Sequence, residues 1–154
     1  MRINQECSKQ IGHAIYDPCS LGSRFGVAIE HFRPDLLDGV SGLHFHTLCQ
    51  RNSDDLETTL NAVEEKFGPW LSQMGWINFG GGHHITREDC IKKMQDKYRL
   101  EVYLEPGEAI ALNAGYLVIT VLDTHHNGID IAILDTSATC HIPGVFPFSF
   151  SAIK

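Results

Sequence analysis

Trp76-Ile77-Asn78-Phe79-Gly80-Gly81-Gly82 decides the fold of this chain. A short apolar run that breaks into three glycines reads as a strand leaving the sheet through a loop without side chains. Such a loop is either an anion cradle, with bare backbone N–H groups turned toward a phosphate, or simply a tight turn. Working outward, Val40–His46 is a second strand bounded by glycine, and Asp54–Phe67 between the two is a helix. Leu56, Leu60, Val63 and Phe67 give that helix one apolar stripe, Asp54 and Glu57 have capping-box spacing, and Gly68-Pro69 is expected to stop it. Downstream, Arg87–Lys97 reads as an amphipathic helix with Ile91 and Met94 inward, and Leu100–Leu104 as a strand ending at Glu105-Pro106-Gly107.

Strand–helix alternation of this kind implies parallel strands with helical crossovers, an α/β architecture that collects its chemistry at the carboxyl ends of the strands. Two further strands, Tyr116–Asp123 and Ile129–Asp135, are joined through Asn127-Gly128. They either add to the barrel-type strands or pair as antiparallel neighbours in a separate β region. About four barrel-type strands are half of what a closed barrel needs, so the chain reads as incomplete.

Bulk properties narrow the function classes. The chain has 154 residues, 43% of them hydrophobic and 20% charged, as in a soluble domain with a core of its own. The apolar stretch Tyr116–Leu122 is too short to span a bilayer, and Met1–Glu6 lacks a secretory apolar region. A net charge of −7 disfavours nucleic acid; it suits a polycationic substrate, or solubility alone. Five scattered cysteines with no CxxC pattern argue against a disulfide framework or a zinc knuckle, and for reduced thiols in a cytoplasm.

The segments taken together resemble the carboxynorspermidine/carboxyspermidine decarboxylases, pyridoxal-phosphate enzymes of the alanine racemase-like fold. The match is carried by Tyr16-Asp17-Pro18-Cys19, Gly22–Gly26, Gly42-Leu43-His44-Phe45-His46-Thr47-Leu48-Cys49, Trp76–His84, Leu104–Ala109 and Ile133–His141. The resemblance implies the later half of a PLP-binding (β/α)8 barrel over residues 1–112, followed by the first strands of a C-terminal β domain over 113–154. It implies pyridoxal 5'-phosphate as cofactor, a polyamine substrate, no nucleic-acid or membrane partner, and a homodimer with shared active sites.

The same resemblance assigns roles. Glu105 pairs with the cofactor's ring nitrogen, His46 stacks on the ring, and Gly80, Gly81 and Gly82 cradle the phosphate. Cys140 reaches into the partner subunit's site to return a proton. From position alone, Arg24 after its glycine-serine turn is a candidate contact to substrate or phosphate, or a surface ion-pair partner; Asp123 and Asp135, after apolar strands, are candidate contacts to the substrate's amines, or caps and turn residues. His125-His126 reads as an exposed loop. The family's Schiff-base lysine would lie upstream of anything matching Met1, Glu88–Ile91 reads as shortened, and Gly144 with the tail Val145–Lys154 leaves the pattern. Those departures predict that this polypeptide alone is inactive. Two other classes stay open: a metal-dependent hydrolase using His44-x-His46 with His83-His84, and a non-catalytic fragment that associates with other chains.

Overall fold

The computed structural model describes residues 1–9, 17–49, 51, 53–82, 88–111 and 113–141. It divides into two units, Met1–Leu112 and Asn113–Lys154. In the first, β1 (Gly42–His46), α1 (Ser53–Leu71), β2 (Trp76–Gly80), α2 (Glu88–Tyr98), β3 (Glu101–Leu104) and the short α3 (Gly107–Ala111) follow one another. The strands form a parallel sheet in the order β1-β2-β3, with His44 opposite Asn78, His46 opposite Gly80 and Phe79 opposite Leu104. The amino-terminal segment extends the sheet past β1: Ile3 N–H donates to His44 O at 2.8 Å, and Val27 N–H donates to Arg2 O at 3.0 Å.

Alternation along the strands separates two faces. Leu43, Phe45, Ile77 and Phe79 are fully buried and meet the stripe Leu56, Leu60, Val63, Phe67 and Leu71 of α1, with Cys90 and Met94 of α2. Phe45 and Phe79 stack at 5.4 Å between ring centroids. Removal of each such side chain from water contributes about 1.5–3 kcal/mol, which is what holds helices and sheet together. The other face carries His44, His46 and Asn78, none of them fully buried. Polar residues in every second position therefore gather on the side of the sheet away from the core.

Most boundaries shift by one or two residues from the sequence reading, and α1 and the fourth strand candidate differ by more. Helix α1 begins at Ser53, so Asp54 sits inside it rather than capping it, and the helix runs through Gly68-Pro69 to Leu71. Pro69 removes one helical hydrogen bond. Packing beyond it keeps the last turn: Leu71 is fully buried and the Trp70 ring lies 4.8 Å from Phe32. Among the described residues the parallel sheet has three strands, not four. The fourth candidate, Tyr116–Asp123, becomes a strand only from Val121, where it finds Leu134 to pair with. Its earlier part, from Tyr116 to Ile119, is exposed and lies outside any described strand.

The second unit is an antiparallel hairpin, β4 (Val121–Asn127) and β5 (Ile129–Leu134), with the single turn α4 (Ala138–His141) after it. His125 and His126 belong to β4, not to a loop, and His126 Nδ1 lies 2.8 Å from Asp130 Oδ1. No helix among the described residues is long and apolar enough to cross a membrane.

Candidate active site

The exposed face of the sheet and the ends of β1, β2 and β3 meet at one cluster. His46, the last residue of β1, places Nδ1 3.5 Å from Oε2 of Glu105, the residue that follows β3. One ligand atom each from His44, His46 and Glu105 lie within 4.8 Å of one another. Glu105 is fixed from two sides: Asn78 Nδ2 donates to Oε1 at 3.0 Å and the Gly81 N–H donates to Oε2 at 3.3 Å. At the other ring nitrogen of His46, Nε2 stands 3.4 Å from Cys49 Sγ.

The glycines let the strand ends come this close. A Cβ on Gly80 would lie 2.3 Å from Phe45 O and 2.4 Å from His44 Cε1. Gly81 has φ +100°, and a Cβ there would stand 2.6 Å from Cys49 N and 2.7 Å from Leu48 N. Gly80 O accepts both Thr47 N–H and Leu48 N–H at 3.3 Å, which ties the chain leaving β1 to the end of β2. The amides of the loop are not bare, as the sequence reading had them. The Gly81 N–H serves Glu105, and the Gly82 N–H is directed at the Cys49 thiol.

Charge follows geometry. Partial burial pushes the Glu105 carboxyl up, but the Gly81 N–H, the Asn78 amide and the two imidazoles outweigh it and hold the group below the ordinary glutamate value. His46 is raised by its contact with Cys49 against the opposing effect of burial, with Glu105 adding to the rise. His44 is lowered, chiefly by burial, and its Nδ1 is buried without a hydrogen-bond partner. The cluster thus offers a firmly ionised carboxylate, an imidazole biased toward its charged form and a second imidazole biased toward neutrality.

Of the residues singled out in the sequence, His46, Gly80, Gly81, Gly82 and Glu105 come together here. Arg24 does not. It lines a cavity of about 710 Å³ with Cys19, Val27, Glu30 and His31, and no member of the histidine–glutamate trio borders that cavity. Asp123, Asp135 and Cys140 lie in the second unit. Asp123 Oδ1 accepts the Thr124 N–H at 2.8 Å beside a bulge, and Asp135 Oδ1 accepts the Thr120 N–H at 2.9 Å. Cys140 is exposed, its N–H donating to Ser137 Oγ at 3.2 Å. His83 and His84 lie outside the described residues. Two members of the cluster went unassigned in the sequence. Asn78 was legible as the residue between Ile77 and Phe79, hence on the histidine face; Cys49 was legible only as the third residue after His46.

Comparison with characterised proteins puts this geometry in a family context. The chain is 46% identical over 150 residues to a carboxynorspermidine/carboxyspermidine decarboxylase of Campylobacter jejuni, covering 91% of this chain. The chain is homologous to the carboxynorspermidine/carboxyspermidine decarboxylases. A carboxyaminopropylagmatine decarboxylase of Synechocystis is 36% identical over 159 residues, 93% of this chain. The crystal structure of the Campylobacter jejuni carboxynorspermidine decarboxylase complexed with norspermidine superposes with a TM-score of 0.70 at 43% identity over 94% of the chain. The chain spans 39% of the length of each of these relatives. No family model matches it. The fold it shares with that crystal structure is the mixed α/β arrangement with a parallel sheet described above.

Proposed function

We propose that the cluster at the ends of β1, β2 and β3 binds pyridoxal 5'-phosphate, and that the protein built around it decarboxylates carboxynorspermidine or carboxyspermidine in polyamine biosynthesis. The observation that carries this reading is the convergence on Glu105, held ionised, of the His46 ring at 3.5 Å and of the Gly81 N–H that donates to it at 3.3 Å. The residues fit such a group. Glu105 is an acceptor held anionic, as a partner for a protonated pyridine nitrogen must be, and His44 Nδ1 is a buried donor or acceptor that lacks a partner. The cofactor supplies an electron sink for the carbanion left when carbon dioxide departs.

The chain's own residues orient and hold. Glu105 would hold a ring nitrogen in its protonated form, and His46 would lie against the ring. The loop amides would hold the phosphate, among them the Gly81 N–H that here donates to Glu105. Cys140 as the group that returns a proton in a homodimer with shared sites rests on the sequence resemblance. Arg24, Asp123 and Asp135 as contacts to substrate rest on their places after a turn and after apolar strands, and a cytoplasmic location on the scattered cysteines. An acidic protein is a suitable host for a substrate carrying several ammonium groups.

Titrating the purified chain with pyridoxal 5'-phosphate tests the reading. Saturable binding, followed by cofactor absorbance and weakened about tenfold or more in Glu105→Gln, is the expected result. Binding that is absent, or indifferent to both Glu105→Gln and His46→Ala, refutes it.

A second reading has one observation in its favour, the trio His44, His46 and Glu105, whose donor set is that of a three-ligand zinc site. Stoichiometric zinc after dialysis against chelator-treated buffer supports it over the cofactor reading.

A further inference from the structure

Cys49 has no part in the cofactor reading, yet it sits at the end of a chain of contacts with a recognisable chemistry. Its Sγ is 3.4 Å from His46 Nε2, and on the far side of the same ring Nδ1 is 3.5 Å from Glu105 Oε2. Thiol, imidazole and carboxylate stand in that order, so that the ring can take the thiol proton at one nitrogen while the carboxylate holds it in orientation at the other. Glu105 cannot swing freely, because Asn78 and Gly81 each donate to one of its oxygens. The thiol is exposed and the Gly82 N–H is directed at it, so a thiolate there keeps both solvent access and a hydrogen-bond donor.

Three of the other cysteines are less accessible, and Cys140, though exposed, is in the second unit. Cys90 is buried in the core, Cys7 and Cys19 are partly buried, and burial pushes the Cys19 thiol up to about 11. Cys49 instead is exposed and has an imidazole nitrogen 3.4 Å from its sulfur. The charged groups that act on the pair are His44, Arg2 and Glu105, and Arg2 opposes the charged form of His46.

We propose that Cys49 is a redox modification site: with the His46 imidazole beside it as proton acceptor and Glu105 behind that ring, its thiol is the group that hydroperoxides oxidise to a sulfenic acid. In that step the Cys49 proton passes to His46, and the thiolate attacks the peroxide. One S–O bond forms and the O–O bond breaks. The departing hydroxide or alkoxide takes the proton back from His46 and leaves as water or alcohol. Sulfur loses two electrons, which the peroxide gains, and His46 ends neutral.

The site is tested on the chain as it stands, without cofactor, so its failure is separate from failure of the cofactor reading. The first measurement is the rate of iodoacetamide alkylation at Cys49, read by peptide mass spectrometry from pH 5 to 9 beside N-acetylcysteine. Lowering a thiol's pKa by one unit raises its thiolate fraction about tenfold at low pH and reduces thiolate nucleophilicity about threefold. Cys49 is therefore expected to react at least about threefold faster than the reference thiol at pH 6, with a plateau reached at lower pH. His46→Gln is expected to abolish that advantage, and Glu105→Gln to reduce it. In the second measurement, dilute hydrogen peroxide with dimedone is expected to tag Cys49 ahead of the exposed Cys140. A wild-type profile that follows N-acetylcysteine, or a dimedone tag on Cys140 and not on Cys49, overturns the proposal whether or not the variants fold.

Discussion

Replacing Gly81 by alanine is the sharpest probe of the site, because the structure separates two costs that this position combines. Gly81 has φ +100° and a new Cβ would stand 2.6–2.7 Å from backbone atoms of Leu48 and Cys49. A left-handed backbone costs an L-residue about 1–2 kcal/mol. Overlap with backbone that cannot turn aside adds about 1–3 kcal/mol, and the stiffer unfolded chain returns about 0.4–1 kcal/mol. The sum is a loss of about 1–4.5 kcal/mol. Two companions divide it. Gly22 has φ +79° with nothing within 4 Å of its Cβ position, so Gly22→Ala isolates the backbone term. Gly80 has no positive φ but would place a Cβ 2.3 Å from Phe45 O, so Gly80→Ala isolates the overlap. Urea denaturation followed by tryptophan fluorescence measures all three against wild type. Gly81→Ala is expected to be the least stable, by about 1 kcal/mol or more below Gly22→Ala. If those two lie within about 0.5 kcal/mol of each other, the loop does not press against the end of β1 and the geometry of the site is wrong.

Other consequences follow from the same contacts. Glu105 is depressed and His46 raised, so the carboxylate's contribution to stability is present above its unfolded pKa and lost as pH falls through its folded one. The imidazolium's contribution is present below its unfolded pKa and lost as pH rises through its folded one. Their attraction is greatest between the two folded values, and NMR titration of the His46 ring is expected to show its pKa drop in Glu105→Gln. Phe67→Ala removes a ring with no exposure that meets Phe32 edge-on at 5.1 Å, and should cost about 3–5 kcal/mol in chemical denaturation. Pro69→Ala restores a helical N–H inside α1 and is expected to raise the thermal midpoint; a fall would show that the proline is needed for the last turn. Glu64 accepts from Lys97 Nζ at 2.7 Å and Tyr98 Oη at 2.9 Å and pairs with Lys93; Glu64→Gln should loosen α2 from α1, read as faster amide exchange in Glu88–Tyr98.

The parallel sheet, its two crossover helices and the inward stripe of α1 were all legible from residue order, because each depends on periodicity within one segment. Leu56, Leu60, Val63 and Phe67 must share a face of any helix, and Leu43 and Phe45 must share a face of any strand. So must His44 and His46, and their emergence opposite the core needed no knowledge of neighbours. Boundaries fared worse where tertiary packing outweighed local preference. The core contacts of Leu71 carried α1 past Pro69, and pairing with Leu134 moved the start of β4 to Val121 although the apolar run begins at Tyr116.

Sequence by itself therefore determined which residues could reach the site: the polar alternates of β1 and β2, the glycines, and the acid after β3. It also carried the family likeness. Only the tertiary structure decided who meets whom, because strand register sets distances between residues dozens of positions apart. Register puts His46 beside Gly80 and brings Glu105 to the Gly81 amide. It makes Cys49 the second partner of the His46 ring and leaves Arg24 at another cavity. A pattern along the chain fixes the face a side chain takes; the hydrogen-bonded pairing of separate strands fixes its neighbour.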